Sequence, residues 1–350
     1  MEKTMVTVLI VDDSAFARLS ITRQLKADSE IEIIGYAVNG LEALEKVKEL
    51  KPDVVTLDVE MPRMDGLEAL SRIMSENPTP VVMLSSLTDK GTEITVRALE
   101  MGAIDFFLKA SKATNAGFYG LDNNLNSKIK LAAAIGGARL RMAAQTMDGH
   151  AHREKPLRQV SITPRNTVVI GSSTGGPGAL YKIIPELPAD IPAAVLLVQH
   201  MPPGFTKSLA NRLNELSNIQ VKEAEHGDVL RPGLALLAPG NYHMEVNKHN
   251  KIAVTQKPAV RGLRPSVDIT MLSASLVYGH STVGVVLTGM GTDGTEGAAS
   301  IKAAGGKIAV QDEATSVIYG MPRSVVESGY ADKVLPLSKI ACEIMEMCLK

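Results

Sequence analysis

Tryptophan is absent from this 350-residue chain and aromatic residues make up only 3% of it, so platforms for stacking nucleobases are scarce. The formal net charge of -1 gives no field that would draw in nucleic acid or an anionic membrane. Cysteine is nearly missing too. Cys342 and Cys348 are the only two, both near the C-terminus, which excludes a disulfide framework and suits apolar packing in a reducing compartment. No apolar run approaches the roughly 18 residues that a bilayer span needs. The opening Met1-Glu2-Lys3-Thr4 leads into a short apolar stretch that ends in two aspartates, too short and too acidic for a signal peptide. Nucleic-acid binding and membrane embedding are therefore not expected, and a cytoplasmic location is.

What is present is a long alternation of two periodicities. At 350 residues the chain exceeds one ordinary core, so two domains are the expectation. In the first part, β-branched runs at 6–11, 31–37, 53–58, 80–85 and 103–108 alternate with helical patterns near 15–27, 40–50, 66–76 and 90–101. That spacing predicts βαβ units and a parallel sheet covered on both faces. A further helix is predicted over about 125–144. Residues 145–165 lose apolar periodicity and carry two prolines, which reads as a linker; His150 and His152 within it have no further ligands nearby and read as solvated. From 166 to 350 the α/β alternation resumes, with strand candidates at 167–170, 193–199, 219–224, 234–238, 252–256, 283–288, 307–311 and 332–335. The fold class expected is thus α/β twice over: a doubly wound five-stranded parallel domain at 4–125, its last helix running to about 144, and a second doubly wound α/β domain at 166–350.

Functional groups of open parallel sheets gather outside the carboxyl ends of the strands. Asp12, Asp13, Asp58, Ser85 and Lys109 all fall at such ends in the first domain. Crowded carboxylates repel unless a cation joins them, so a bound hard metal, most simply Mg²⁺, is expected. Lys109 adds a positive charge, and Ser85 can donate to a phosphoryl oxygen. A carboxylate in that setting is placed to accept a phosphoryl group. Helix capping accounts for one of these aspartates but not for Asp58 and Lys109 sharing the edge.

The second domain carries Gly171-Ser172-Ser173-Thr174-Gly175-Gly176-Pro177 between a strand and a helix. Small residues permit a sharp turn that holds a hydroxyl out beside helix amides. A glycine-rich anion loop is the competing reading, although the Lys-Ser/Thr ending of a nucleotide-binding loop is absent. Among seven histidines, His200 and His243 follow strands, and His200 follows the most apolar one. For a carboxylate to orient the base, Asp268 and Asp293 both qualify. Asp268 also reads as a first-turn acid of the helix after it, and Asp293, in a glycine-rich loop at a strand end, fits better. Gly289-Met290-Gly291-Thr292-Asp293-Gly294 also satisfies a dinucleotide fingerprint, yet Asp293 would repel the pyrophosphate.

Two resemblances follow from these stretches. Val-Asp-Asp-Ser at 11–14, Leu-Asp-Val-Glu-Met-Pro-Arg-Met-Asp-Gly at 57–66 and Gly-Ala-Ile-Asp-Phe-Phe-Leu-Lys at 102–109 resemble a response-regulator receiver domain. The resemblance implies Asp58 as phosphoacceptor; Asp12, Asp13, Asp58 and the Glu60 carbonyl around Mg²⁺; and Ser85, Lys109 and Phe106 as the switch residues. Ala110 stands where receivers usually carry proline. Ile-Gly-Ser-Ser-Thr-Gly-Gly-Pro at 170–177, Val-Gln-His-Met-Pro-Pro-Gly-Phe at 198–205, Ala-Pro-Gly-Asn-Tyr-His-Met at 238–244, Arg-Pro-Ser-Val-Asp at 264–268 and Leu-Thr-Gly-Met-Gly-Thr-Asp-Gly at 287–294 resemble the catalytic domain of the chemotaxis protein-glutamate methylesterases. That implies Ser173 as nucleophile, His200 as base, Asp293 as orienting acid and the Met290 amide at the oxyanion. It further implies methyl-accepting chemotaxis receptors as substrates, deamidation of their glutamines, a chemotaxis histidine kinase as phosphodonor, no cofactor at the esterase site, and a receiver that obstructs the catalytic face until Asp58 is phosphorylated. A receiver-gated module that binds without catalysing is the competing expectation.

Overall fold

The computed structural model describes residues 5–109, 124–135 and 163–349. They divide between two compact units, an N-terminal and a C-terminal one. The 145–165 linker up to residue 162, the helix beyond 135, Ala110, His150 and His152 lie outside the described residues.

In the N-terminal unit the strands are β1 (Val6–Val11), β2 (Ile31–Ala37), β3 (Val54–Asp58), β4 (Val81–Ser85) and β5 (Asp105–Leu108). They form one parallel sheet in the order β2-β1-β3-β4-β5. The helices are α1 (Ala15–Leu25), α2 (Gly40–Leu50), α3 (Gly66–Glu76), α4 (Asp89–Glu100) and α5 (Leu125–Ala134). Local chemistry starts each one: the side chains of Ser14, Asn39, Asp65, Thr88 and Asn124 accept from first-turn amides of the helices they precede. Every residue of β3 and β4 is buried, as expected of central parallel strands with helices on both faces.

The C-terminal unit has a seven-stranded parallel sheet built from β6 (Asn166–Ser172), β7 (Ala193–Gln199), β8 (Gln220–Glu223), β9 (Leu234–Leu237), β12 (Thr282–Val286), β13 (Lys307–Gln311) and β14 (Lys333–Leu335). Its order is β14-β13-β12-β6-β7-β9-β8. The chain winds one way from β6 through β7 and then returns to the other side of β6 with β12. The switch point between β6 and β12 is where such sheets open a crevice at their carboxyl edge. The strand expected at 252–256 forms as β11 (Ile252–Thr255) but stands off the main sheet, in an antiparallel pair with β10 (His243–Val246).

Among the described residues six α-helices pack around this sheet: α6 (Gly176–Ile183), α7 (Phe205–Leu216), α8 (Val267–Tyr278), α9 (Thr295–Ala303), α10 (Met321–Glu327) and α11 (Leu337–Leu349). Val267 and Met271 of α8 enter a buried cluster with Val169, Leu196, Val198, Val286 and Val310 from the strands. Each such aliphatic side chain contributes about 1.5–3 kcal/mol on burial. No described helix is long and apolar enough to cross a membrane.

Candidate active site

Three loops meet at the β6/β12 switch point. Ser173 follows β6, His200 follows β7, and Asp293 lies in the loop from β12 to α9. Backbone bonds tie the loops together: the Ser173 amide donates to the Thr288 carbonyl at 3.0 Å, and the His200 amide donates to the Ser172 carbonyl at 3.0 Å. A Cβ added at Gly289 would lie 2.8 Å from the Ser173 Cβ, so only glycine lets the β12 loop pass that close to the nucleophile candidate.

His200 Nε2 and Asp293 Oδ2 are 2.8 Å apart, with both side chains only 2% exposed. The second Asp293 oxygen accepts from Ser266 Oγ at 2.9 Å and from the Asp268 amide at 3.1 Å, and Oδ2 also accepts from the Val267 amide at 2.7 Å. Burial pushes the Asp293 carboxyl upward, but the hydrogen bond and charge of His200 and the two amides outweigh it and hold it well below the usual carboxylate range. An ionised carboxylate in this cradle orients the imidazole and stabilises its charged form. Ser173 is half-buried and its hydroxyl has no hydrogen-bond partner among the described residues. Such contacts are commonly loose before substrate arrives. Met290, one residue beyond Gly289, has an amide with no backbone acceptor among the described residues.

The runner-up residues have other duties. Asp268 sits in the first turn of α8, and its Oδ1 accepts from the amides of Gly294 and Gly297, both at 2.8 Å. It therefore caps α9 from a neighbouring helix. Burial first, and the charge of Asp293 second, push the Asp268 carboxyl up to about 7. His243 is fully buried, with Nε2 3.2 Å from the Pro258 carbonyl, and burial lowers its pKa. Arg264 clamps Asn241 Oδ1 through Nε at 3.2 Å and Nη2 at 2.7 Å, which braces the loop before β10. Arg261 reaches Glu296, Thr292 Oγ1 at 3.3 Å and Asp268 Oδ2 at 3.5 Å.

The N-terminal unit gathers its own set at the β1/β3 switch point. Carboxylate oxygens of Asp12, Asp13 and Asp58 lie within 4.8 Å of one another. Lys109 Nζ is 2.8 Å from Asp12 Oδ2 and 2.7 Å from Asp58 Oδ1. Burial raises the Asp58 carboxyl to about 6, against the opposing pull of Lys109. For Lys109 the two carboxylates outweigh burial, and its pKa rises. Three hard oxygen donors on two buried residues and one exposed residue suit a small divalent cation. Ser85 Oγ is 2.7 Å from Thr95 Oγ1, whose own hydroxyl donates to the Gly91 carbonyl at 2.7 Å. Phe106 is buried at 7% exposure, and the exposed Glu60 side chain pairs with Lys90 at 3.5 Å.

Residues 168–344 match the family model described as CheB methylesterase, and residues 8–116 match the response regulator receiver domain. The chain belongs to the CheB methylesterase family. Its curated relatives are enzymes, which favours the hydrolase over a module that only binds. A protein-glutamate methylesterase/protein-glutamine glutaminase of Symbiobacterium thermophilum is 50% identical over 96% of this chain and 95% of its own length. One of the same name from Pyrococcus horikoshii is 48% identical over 96% of this chain and 91% of its own. The crystal structure of the Thermotoga maritima CheB methylesterase catalytic domain aligns at a TM-score of 0.51 and 48% identity, covering 52% of this chain and 97% of that one. Within the CheB fold seen here, Ser266 and Thr95 escaped the sequence reading as site residues. Ser266 was visible as part of Arg-Pro-Ser-Val-Asp at 264–268. Thr95 gave no signal, because a threonine inside a helix reads as packing.

Proposed function

We propose that this chain hydrolyses γ-glutamyl methyl esters, and deamidates glutamines, on the helices of methyl-accepting chemotaxis receptors in the cytoplasm. Ser173 Oγ attacks the acyl carbon while His200 takes its proton. Because Nε2 is held by Asp293, Nδ1 is the nitrogen left to act as base. The Met290 amide receives the developing oxyanion. Collapse expels methanol, or ammonia from an amide, with the proton returned by His200; water then attacks the acyl-serine and frees the glutamate. The observation that carries this reading is the buried His200–Asp293 pair beside Ser173 at the β6/β12 switch point.

The receiver at 4–125, joined through the 145–165 linker to the catalytic domain at 166–350, supplies the control. Asp58 takes a phosphoryl group from a chemotaxis histidine kinase, and Ser85, Lys109 and Phe106 register the change. Asp12, Asp13 and Asp58, with the Glu60 carbonyl, would hold Mg²⁺, which neutralises the carboxylates and the incoming phosphoryl oxygens when bound.

The test is methanol release from membranes bearing methylated receptors, with and without a small phosphodonor. Ser173→Ala is expected to abolish release, whereas Ser172→Ala retains most of it. Equal activity of the two variants would reverse the choice of nucleophile.

A further inference from the structure

Ser172 closes β6, Gln199 closes β7, and the two are register partners in the parallel pair. Ser172 and Gln199 are 0% and 2% exposed, so a polar bond has been built at the buried carboxyl end of the strand pair. Ser172 Oγ donates to Gln199 Oε1 at 2.7 Å. The amide nitrogen then has two acceptors, the Ser173 carbonyl at 2.9 Å and the His200 carbonyl at 3.1 Å. The orientation of the amide is chemically forced, since a flipped group would set its oxygen against two carbonyl oxygens. Space is reserved for it as well: a Cβ at position 176 would fall 2.1 Å from Gln199 Oε1, so the second glycine of Gly175-Gly176 makes room for this amide.

From this geometry we infer that Gln199 is a positioning residue for the hydrolytic reaction, its single amide nitrogen binding the peptide of the nucleophile to the peptide of the base. The inference rests on the reading of Ser173 and His200 given above. Side chains that share a donor at their own carbonyls move together, so the hydroxyl-to-imidazole separation is held without either side chain being touched. A displacement of about 1 Å at such a pair costs on the order of 100-fold in rate. Ser172 only orients the amide, and the two carbonyls still demand its nitrogen when Ser172 is replaced. Ser172→Ala is therefore expected to be mild.

The experiment uses the whole chain. Gln199→Met removes both donors at similar volume; Gln199→Asn, one methylene shorter, draws the amide back from both carbonyls and carries the test if the first variant does not fold. Expected for each is a kcat for methanol release lowered about 10- to 100-fold with KM unchanged. Labelling of Ser173 by a serine-directed phosphonate should slow by a similar factor and still reach the stoichiometry of the parent chain. A loss confined to the melting temperature and to the fraction of labelled chains, with normal kcat per labelled site, would overturn the inference and leave Gln199 a core residue. Absence of Ser173 labelling in the parent chain would instead mean that the nucleophile assignment has failed, whatever Gln199 does.

Discussion

The Asp268 amide donates to Asp293 Oδ1 at 3.1 Å, while the Asp268 carboxyl turns to the amides of Gly294 and Gly297 that flank and follow Asp293 in the chain. Two buried acids thus brace one loop, and they titrate with opposite signs. Asp268 binds its proton more tightly in the folded chain, at about 7, than an exposed aspartate does at about 4. Its stabilising contribution is complete below the unfolded value and is lost as pH rises through about 7. Asp293, held below the usual range, contributes above the unfolded value and loses that contribution as pH falls. Asp268→Asn keeps the helix cap and removes the titration. Denaturant unfolding across mildly acid to neutral pH should show the parent chain losing stability relative to this variant by up to about 1.4 kcal/mol per pH unit. Parallel pH profiles for the two proteins would refute the assignment.

Gly289 supports a second prediction. A methyl group there meets Met321 Sδ at 2.4 Å and the Ser173 Cβ at 2.8 Å. The thioether is flexible and can yield, but Ser173 is fastened through its amide to Thr288. Gly289→Ala should therefore cost about 1–3 kcal/mol of stability and a larger factor in kcat, read from methanol release and thermal melts on the same samples. Full activity in a destabilised variant would show that the loop does not crowd the nucleophile.

In the receiver, Thr95 competes with any phosphoryl oxygen for Ser85. The Ser85 hydroxyl has Thr95 Oγ1 at 2.7 Å, and its other acceptors, the Ser86 and Gly91 carbonyls, are at 3.3 and 3.5 Å. Thr95→Val keeps the volume and removes the acceptor, worth about 1 kcal/mol. The small-phosphodonor concentration that half-activates methanol release should fall about fivefold, since RT sets that ratio for about 1 kcal/mol. An unchanged half-activating concentration would mean that Thr95 does not hold the switch.

The expected strands and the observed ones agree within about two residues wherever a strand is a central, doubly covered member of a parallel sheet, because continuous runs such as Ala193–Gln199 have one stable use. Agreement failed at β10, His243–Val246, where Glu245 interrupts the apolar pattern. It failed in placement at β11, which pairs antiparallel with β10 instead of joining the sheet. Four-residue ribbons are stabilised by the helix they lie against, here through Thr270 Oγ1 donating to the Met244 carbonyl at 2.7 Å, and local periodicity carries no trace of such a partner.

Residue type and position at strand ends were enough to put Asp12, Asp13, Asp58 and Lys109 on one edge, and to nominate Ser173 with His200 or His243 and Asp268 or Asp293 on another. That worked because a parallel sheet delivers every strand's carboxyl end to the same edge. Sequence already preferred Asp293 to Asp268, from its place in a glycine-rich loop at a strand end, and the folded chain adds a difference in hydrogen bonding that sequence does not carry. What separates them is which oxygen meets His200 Nε2 and which meets helix amides. Gln199 and Thr95 were likewise illegible. Their roles consist of hydrogen bonds to groups 26 and 10 residues away, and distances of that kind come into being only when the strands and helices pack.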